Sequence, residues 1–277
     1  MNHITKIQSK NRSIRWEAAS ILVIVFSSML AVSTDCVAQN NPSDAVDRVY
    51  DNFNEKWIDP TRWLTGPPDC WGLTLECVRQ IRDGKLYLEV RNIGWSGGNS
   101  DIQGAVSDLF FPAANSITNI TADVTVRSAS GTNCPLNPQQ SGAQVRIGGT
   151  FFNSGTGNPA DDLSAYVIAN HHDDVVDYGI WWGWENQSQW VHLTYFPMGT
   201  PVTTTMRWDQ PNHQFIAILK TPNGLPVWGT SRYAIADRTP PANPSKSLSA
   251  FTYAPNCTVQ MTTSEVEANF DNVIINK

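Results

Sequence analysis

The chain has 277 residues, of which 41% are hydrophobic and 16% charged, and it contains eleven tryptophans. That composition supplies a packed core and excludes a disordered chain. A formal net charge of −6 with no basic patch excludes a partner held through its phosphates, whether nucleic acid or an anionic membrane surface.

Residues 1–38 read as an export signal. Lys6, Lys10, Arg12 and Arg15 open it, an apolar run follows from Ala18 to Val32, and Cys36-Val37-Ala38 supplies small residues around a cleavage point. The run is shorter than the ~20 residues needed to span a bilayer. Cleavage is therefore expected, leaving a secreted or periplasmic protein without membrane attachment. Residues 39–48 form a polar leader. No linker or internal repeat divides the rest, so residues 49–277 are expected to form one domain.

Within that domain the apolar pattern has period two. In "ITADVTVR", Ile120, Ala122, Val124 and Val126 share one face, with Thr121, Asp123, Thr125 and Arg127 on the other. In "EVEANFDNVII", Val266, Ala268, Phe270 and Ile274 are placed together. Further strands are predicted at "KLYLEVR", "AVSDLFF", "AQVRIGGTFF", "LSAYVIAN", "WVHLTYF", "TTTMRWD", "HQFIAILK" and "LSAFTYA". Turn signals such as Asp83-Gly84 and Asn223-Gly224 separate them, and no amphipathic helix stands between them. The pattern predicts an all-β sandwich.

Cleavage would remove Cys36 and leave Cys70, Cys77, Cys134 and Cys257. Four cysteines in an oxidising compartment predict two disulfides, in one of three pairings. The short loop favours Cys70–Cys77, which leaves Cys134–Cys257; buried free thiols are the alternative.

The opening "YDNFNEKWIDPTRW", with Phe53, Asp59, Pro60 and Trp63, resembles the first strand and turn of the concanavalin A-like jelly rolls. That superfamily includes lectins and laminarinase- and lichenase-type glycoside hydrolases. "DGKLYLEV" is similar to their next strand, "ITADVTVR" to a substrate-framing strand, "TTTMRWDQPNHQFIAIL" to a late strand pair and "ANFDNVIIN" to the last strand. The resemblance covers residues 49–277. It implies a jelly roll of two antiparallel sheets, one with an outer face curved into a groove for a polysaccharide.

The hydrolases of that superfamily carry Glu-x-Asp-x-Glu on one strand, which sets two carboxylates on one face for retaining cleavage. By strand order the equivalent here is "DDLSAYVIAN", whose groove positions read Asp162, Ser164 and Tyr166. Those residues cannot perform the reaction. The resemblance therefore extends to the scaffold and stops at the catalytic motif. Asp162, Tyr166 and His171 stay as weak catalytic candidates. His171 belongs to "HHDDVVD", where His171, Asp173 and Asp177 can share a face. A β-eliminating lyase would set such a base beside Arg146; a solvated strand end is the plainer reading.

The stretch "DYGIWWGWE" alternates Tyr178, Ile180, Trp182 and Trp184 on one side with Asp177, Gly179, Trp181, Gly183 and Glu185 on the other. The first side suits the core. The second sets Trp181 between two glycines, which would bare its ring to a sugar, with Asp177 or Glu185 accepting from hydroxyls. A glycine bulge that puts Trp182 outside, or a Trp181 packed under a loop, is the alternative. Arg146, Tyr166, Trp181, Asp177 and Glu185 are the expected ligand-binding residues.

The same resemblance implies one structural Ca²⁺, held by carbonyls of Asn52 and Gly84 and the carboxylate of Asp271. Calcium takes such oxygen ligands. The expected protein is thus an exported, non-catalytic polysaccharide-binding sandwich. A divergent glycoside hydrolase or polysaccharide lyase is one alternative, and a cell-envelope interaction module without a sugar ligand is the other.

Overall fold

A computed structural model describes residues 49–64, 71–72, 74–94, 101–184 and 187–276. The expected signal segment and leader, Cys70 and Glu185 lie outside the described residues.

The elements are strands joined by turns and three short 3-10 segments. In chain order the strands are β1 (Trp71–Gly72), β2 (Thr74–Arg82), β3 (Lys85–Ile93), β4 (Ile102–Phe110), β5 (Asn119–Gly131), β6 (Gly142–Asn153) and β7 (Asp162–His172). They continue as β8 (Val175–Trp184), β9 (Gln187–Pro197), β10 (Val202–Asp209), β11 (Gln214–Lys220), β12 (Val227–Arg232), β13 (Lys246–Pro255) and β14 (Thr263–Ile275). The first sheet runs β1-β4-β13-β6-β7-β8-β9 and the second β12-β11-β10-β5-β14-β3-β2. All pairings are antiparallel. The chain passes from one sheet to the other between β1 and β2, β3 and β4, β4 and β5, β5 and β6, β9 and β10, β12 and β13, and β13 and β14. This is the jelly-roll sandwich that the resemblance implied.

Alternation fills the space between the sheets. Ile120, Ala122, Val124 and Val126 of β5 face Val145, Ile147, Leu163, Ala165 and Val167 of β6 and β7 across one core. Burying such side chains contributes about 1.5–3 kcal/mol each, so the pattern fixes which side of each strand points inward. One parity expectation is corrected. Asn272 has a left-handed φ of 48°, and the register of β14 on β5 shifts between Asp271 and Ile274. The extra residue carries Val273 into the core and turns Ile274 partly outward.

The opening segment is also corrected. It is a turn and not a strand, joined to β14 by a single bridge between Asp51 and Val273. Asp59 holds it by accepting from the Thr61 amide at 2.8 Å. Trp63 is buried, donates through Nε1 to Asp51 Oδ2 at 2.6 Å and stacks on Phe53. The quoted residues thus close one end of the core.

Cys134 and Cys257 form a disulfide. Cys77 is disulfide-bonded as well, and Cys70, its expected partner, lies outside the described residues.

Candidate functional site

The outer face of the first sheet is built from the side chains left over by the core. Antiparallel partners directly opposite one another point the same way. The register therefore lays these side chains in rows across the strands. One row runs Ser247, Gly148, Tyr166, Trp181 and Trp190, from β13 through β6, β7 and β8 to β9. The next runs Ser249, Arg146, Ile168, Gly179 and His192, and a third Phe251, Gln144, Asn170, Asp177 and Tyr195. Three rings thus stand on adjacent strands about 4.8 Å apart.

Glycines settle how these rings lie. A Cβ on Gly183 would stand 2.7 Å from Cζ2 of Trp181, and one on Gly179 would stand 2.5 Å from Cζ2 of Trp190. Each indole therefore extends along the sheet with its six-membered ring end over a glycine. The glycines make room for that end rather than simply baring Trp181. Trp181 is half-buried and tilts against Tyr166, with ring centroids 5.9 Å apart. Trp190 is 39% exposed. Gly148 serves in a different way. Its φ is 148°, and a Cβ there would meet the Ala165 carbonyl oxygen at 2.1 Å, so only glycine lets β6 approach β7 opposite Tyr166.

Trp182 takes the opposite parity. It is buried, and its Nε1 donates to Ser231 Oγ at 2.8 Å. Trp184 packs partly against the core. The alternation through "DYGIWWGW" therefore runs without a bulge on β8.

Polar groups surround the rings. Arg146 donates through Nε and Nη2 to Gln144 Oε1, at 2.9 and 2.5 Å. Its guanidinium lies 3.7 Å over the Phe251 ring and 5.7 Å from that of Tyr166. A hollow of about 180 Å³ is lined by Asp108, Arg146, Tyr166, Ser247, Ser249 and Phe251. Burial lowers the Arg146 pKa from its ordinary value and raises that of Tyr166. The arginine remains a cation and the phenol keeps its proton.

Asp177 is 14% exposed, and its Oδ1 accepts from Nδ1 of His192 at 2.6 Å. His192 packs on Tyr195 with centroids 4.6 Å apart. A histidine bonded at Nδ1 to a carboxylate has a fixed tautomer and presents Nε2. Sequence reasoning took Asp177 for a sugar contact and missed His192. The period-two pattern of "WVHLTYF" put His192 on a strand face, but its pairing with Asp177 crosses a register shift between Tyr178 and Gly179.

Two weak catalytic candidates fall elsewhere. Asp162 is buried, and its carboxylate accepts from Asn153 Nδ2 and from the amides of Ala242 and Asn243, at 2.7 to 2.8 Å. Those bonds tie the loop before β13 to β7. His171 pairs with Val176, which is in the core, so His171 lies on the opposite side of β7 from Tyr166. Asp173 stands in the turn between β7 and β8, with φ 53°, 3.5 Å from the exposed His172. The expected face of His171, Asp173 and Asp177 is therefore not formed.

The three segments expected to hold calcium meet at one corner. Asp51 exchanges backbone hydrogen bonds with Val273, at 3.2 and 2.7 Å. Asn54 Oδ1 lies 3.2 Å from where a Cβ on Gly84 would stand. Asp271 faces Asp123 across β14 and β5, in a hollow of about 310 Å³ that Lys85 also lines. Burial, with Asp123 and Asp51 adding, raises the Asp271 pKa against the opposing Asn272 amide and Lys85. Asp51 and Asp123 act on Asp271 against Lys85 at this corner, and carboxylate oxygens are the ligand type that calcium takes. Among the described residues no three His, Cys, Asp or Glu side chains group around a metal position, so such an ion would rely on carbonyls.

No protein-family model and no curated protein matches the sequence. Several solved structures are similar to it at low identity. An alginate lyase from Klebsiella pneumoniae is 13% identical, with a TM-score of 0.39, over 72% of this chain and 83% of that one. Lectin II from Ulex europaeus is 9% identical, with a TM-score of 0.34, over 76% and 95%. A carbohydrate-binding module, CBM66, from Bacillus subtilis is 8% identical, with a TM-score of 0.32, over 74% and 95%.

Proposed function

We propose that this chain is an exported carbohydrate-binding protein and that its glycan lies on the outer face of the first sheet. The observation that carries the reading is the row Tyr166, Trp181 and Trp190, held in register on three adjacent strands, with both indoles reaching over glycines. Flat aromatic faces suit the apolar faces of sugar rings, and the flanking Gln144, Arg146 and Asp177 supply the few polar groups that orient a ligand. A calcium ion at the Asn52, Gly84 and Asp271 corner, on the other sheet, would brace the fold and take no part in binding.

Affinity electrophoresis and calorimetry against a polysaccharide panel test this. The parent protein should bind at least one glycan. Trp181→Ala and Trp190→Ala should each weaken that binding at least tenfold while the protein stays folded. Silence of the parent across the panel would overturn the proposal.

The His192–Asp177 pair favours a second reading, in which the same face cuts the chain it binds, with His192 as the base. Release of reducing ends or of an unsaturated product, abolished by His192→Ala while binding persists, would establish it. Intact polysaccharide after prolonged incubation would leave the protein a binder.

A further inference from the structure

We propose that the glycan on this face is acidic and that Arg146 receives the carboxylate of a uronic acid residue in the hollow against Phe251. This rests on the carbohydrate reading above and narrows it to a substrate class.

Arg146 is placed as a ligand-binding cation and not as a structural one. The ion pairs among the described residues are made by other side chains, so among those residues no carboxylate stands within salt-bridge distance of this guanidinium. Nε and Nη2 both go to a single neutral oxygen of Gln144, which fixes the plane of the group without neutralising it. The Phe251 ring covers one side of the group, with its centroid 3.7 Å from Cζ, and Nη1 is left over from the bonds to Gln144. The acid on the wall of the hollow, Asp108, is itself buried, and Ser247 Oγ approaches its Oδ1 at 3.3 Å.

Asp108 favours the charged guanidinium without forming a salt bridge to it, and an external anion in direct contact would offset more of the cost of burying the cation. The guanidinium fork matches a planar carboxylate better than any single hydroxyl. Ser249 and Tyr166 line the same hollow and bring hydroxyl groups for the hydroxyls beside that carboxylate. Long-range attraction cannot account for such a preference, because the chain carries a net charge of −6. Selectivity for an acidic glycan must come from the local contact.

Calorimetry with oligogalacturonate and oligoglucuronate, their carboxyl-reduced counterparts, a sulfated galactan and a set of neutral glycans tests the assignment. At least one uronate should bind tenfold or more tightly than its reduced form, a difference of about 1.4 kcal/mol. Arg146→Gln should bring the acid form down to the level of the reduced one, and Trp181→Ala should weaken both. The comparison of acid with reduced ligand uses the parent protein, so it stands even if Arg146→Gln folds poorly. Equal or tighter binding of the reduced or neutral glycans would overturn the acidic class and leave carbohydrate binding intact. Preference for the sulfated galactan would overturn the carboxylate assignment. No binding to any of these glycans would overturn both readings.

Discussion

Adjacent tryptophans on β8 should respond to truncation in opposite ways, and the sizes follow from their surroundings. Trp182 is 8% exposed, inside the core and hydrogen-bonded to Ser231. Emptying a buried tryptophan position costs about 3–5 kcal/mol. The lost hydrogen bond adds little, because Ser231 Oγ still reaches Gln189 Oε1 at 3.3 Å. Trp181 rests half-buried over Gly183. An aromatic side chain buries at most about 150–250 Å², and half of that at about 25 cal/mol per Å² is an upper figure of ~2–3 kcal/mol. Because a ring lying on a sheet surface stays in contact with water, we expect about 1–2 kcal/mol for Trp181→Ala. Urea denaturation of the two variants, with ligand binding measured on each, separates them. Trp182→Ala should lose stability and keep binding; Trp181→Ala should lose binding and keep most of its stability. The reverse result would mean that β8 is out of register by one residue and that the row of rings is not on the surface.

The other predictions concern stability. The Cys134–Cys257 disulfide links residues 123 apart, and chain entropy for a loop of that order gives about 4–5 kcal/mol. Cys134→Ser should therefore lower the denaturation midpoint clearly, and an unchanged midpoint would refute the linkage as a stabilising one. Stripped protein given millimolar Ca²⁺ should melt at a higher temperature by linkage, and Asp271→Asn should abolish the rise; no shift in the parent would eliminate the calcium site. Lys246 is buried, with Nζ donating to the carbonyls of Ala114 and Thr150 at 2.8 and 2.7 Å, and burial lowers its pKa to about 7. An unfolded lysine titrates near ~10.4, so the unfolded state binds the extra proton between those values and stability rises with pH across that window. The parent should gain stability from about pH 7 to 9 relative to Lys246→Met; parallel pH profiles would show that the lysine does not titrate there.

Much of the scaffold is legible because it is local. A strand shows its two faces to anyone who counts by twos, and the cores of β5, β7 and β8 follow directly from "ITADVTVR", "LSAYVIAN" and "DYGIWWGW". The edge strands β1, β2 and β12 escape that count because Trp71–Gly72 is too brief, "TLECVRQIR" mixes charged residues into both of its faces, and "VWGTSR" alternates no apolar residues. The parity of Ile274 fails because one residue with a positive φ, Asn272, reverses every side chain beyond it.

The site is less legible, because its contacts join residues far apart in the chain. Alternation singles out Trp181 and Asp177, and the family resemblance adds Arg146 and Tyr166. Only the register of separate strands sets Phe251 under Arg146, brings Trp190 into line with Trp181 and hands Asp177 to His192. Asp162 and His171 make the same point from the other side. Each has the right chemistry in the right strand, yet backbone amides of a distant loop claim the first, and core-side parity withdraws the second. A residue's type and its face are properties of a few neighbours along the chain. Its partners are decided by which strands pair and in what register, and those pairings are held by the packing of the whole core.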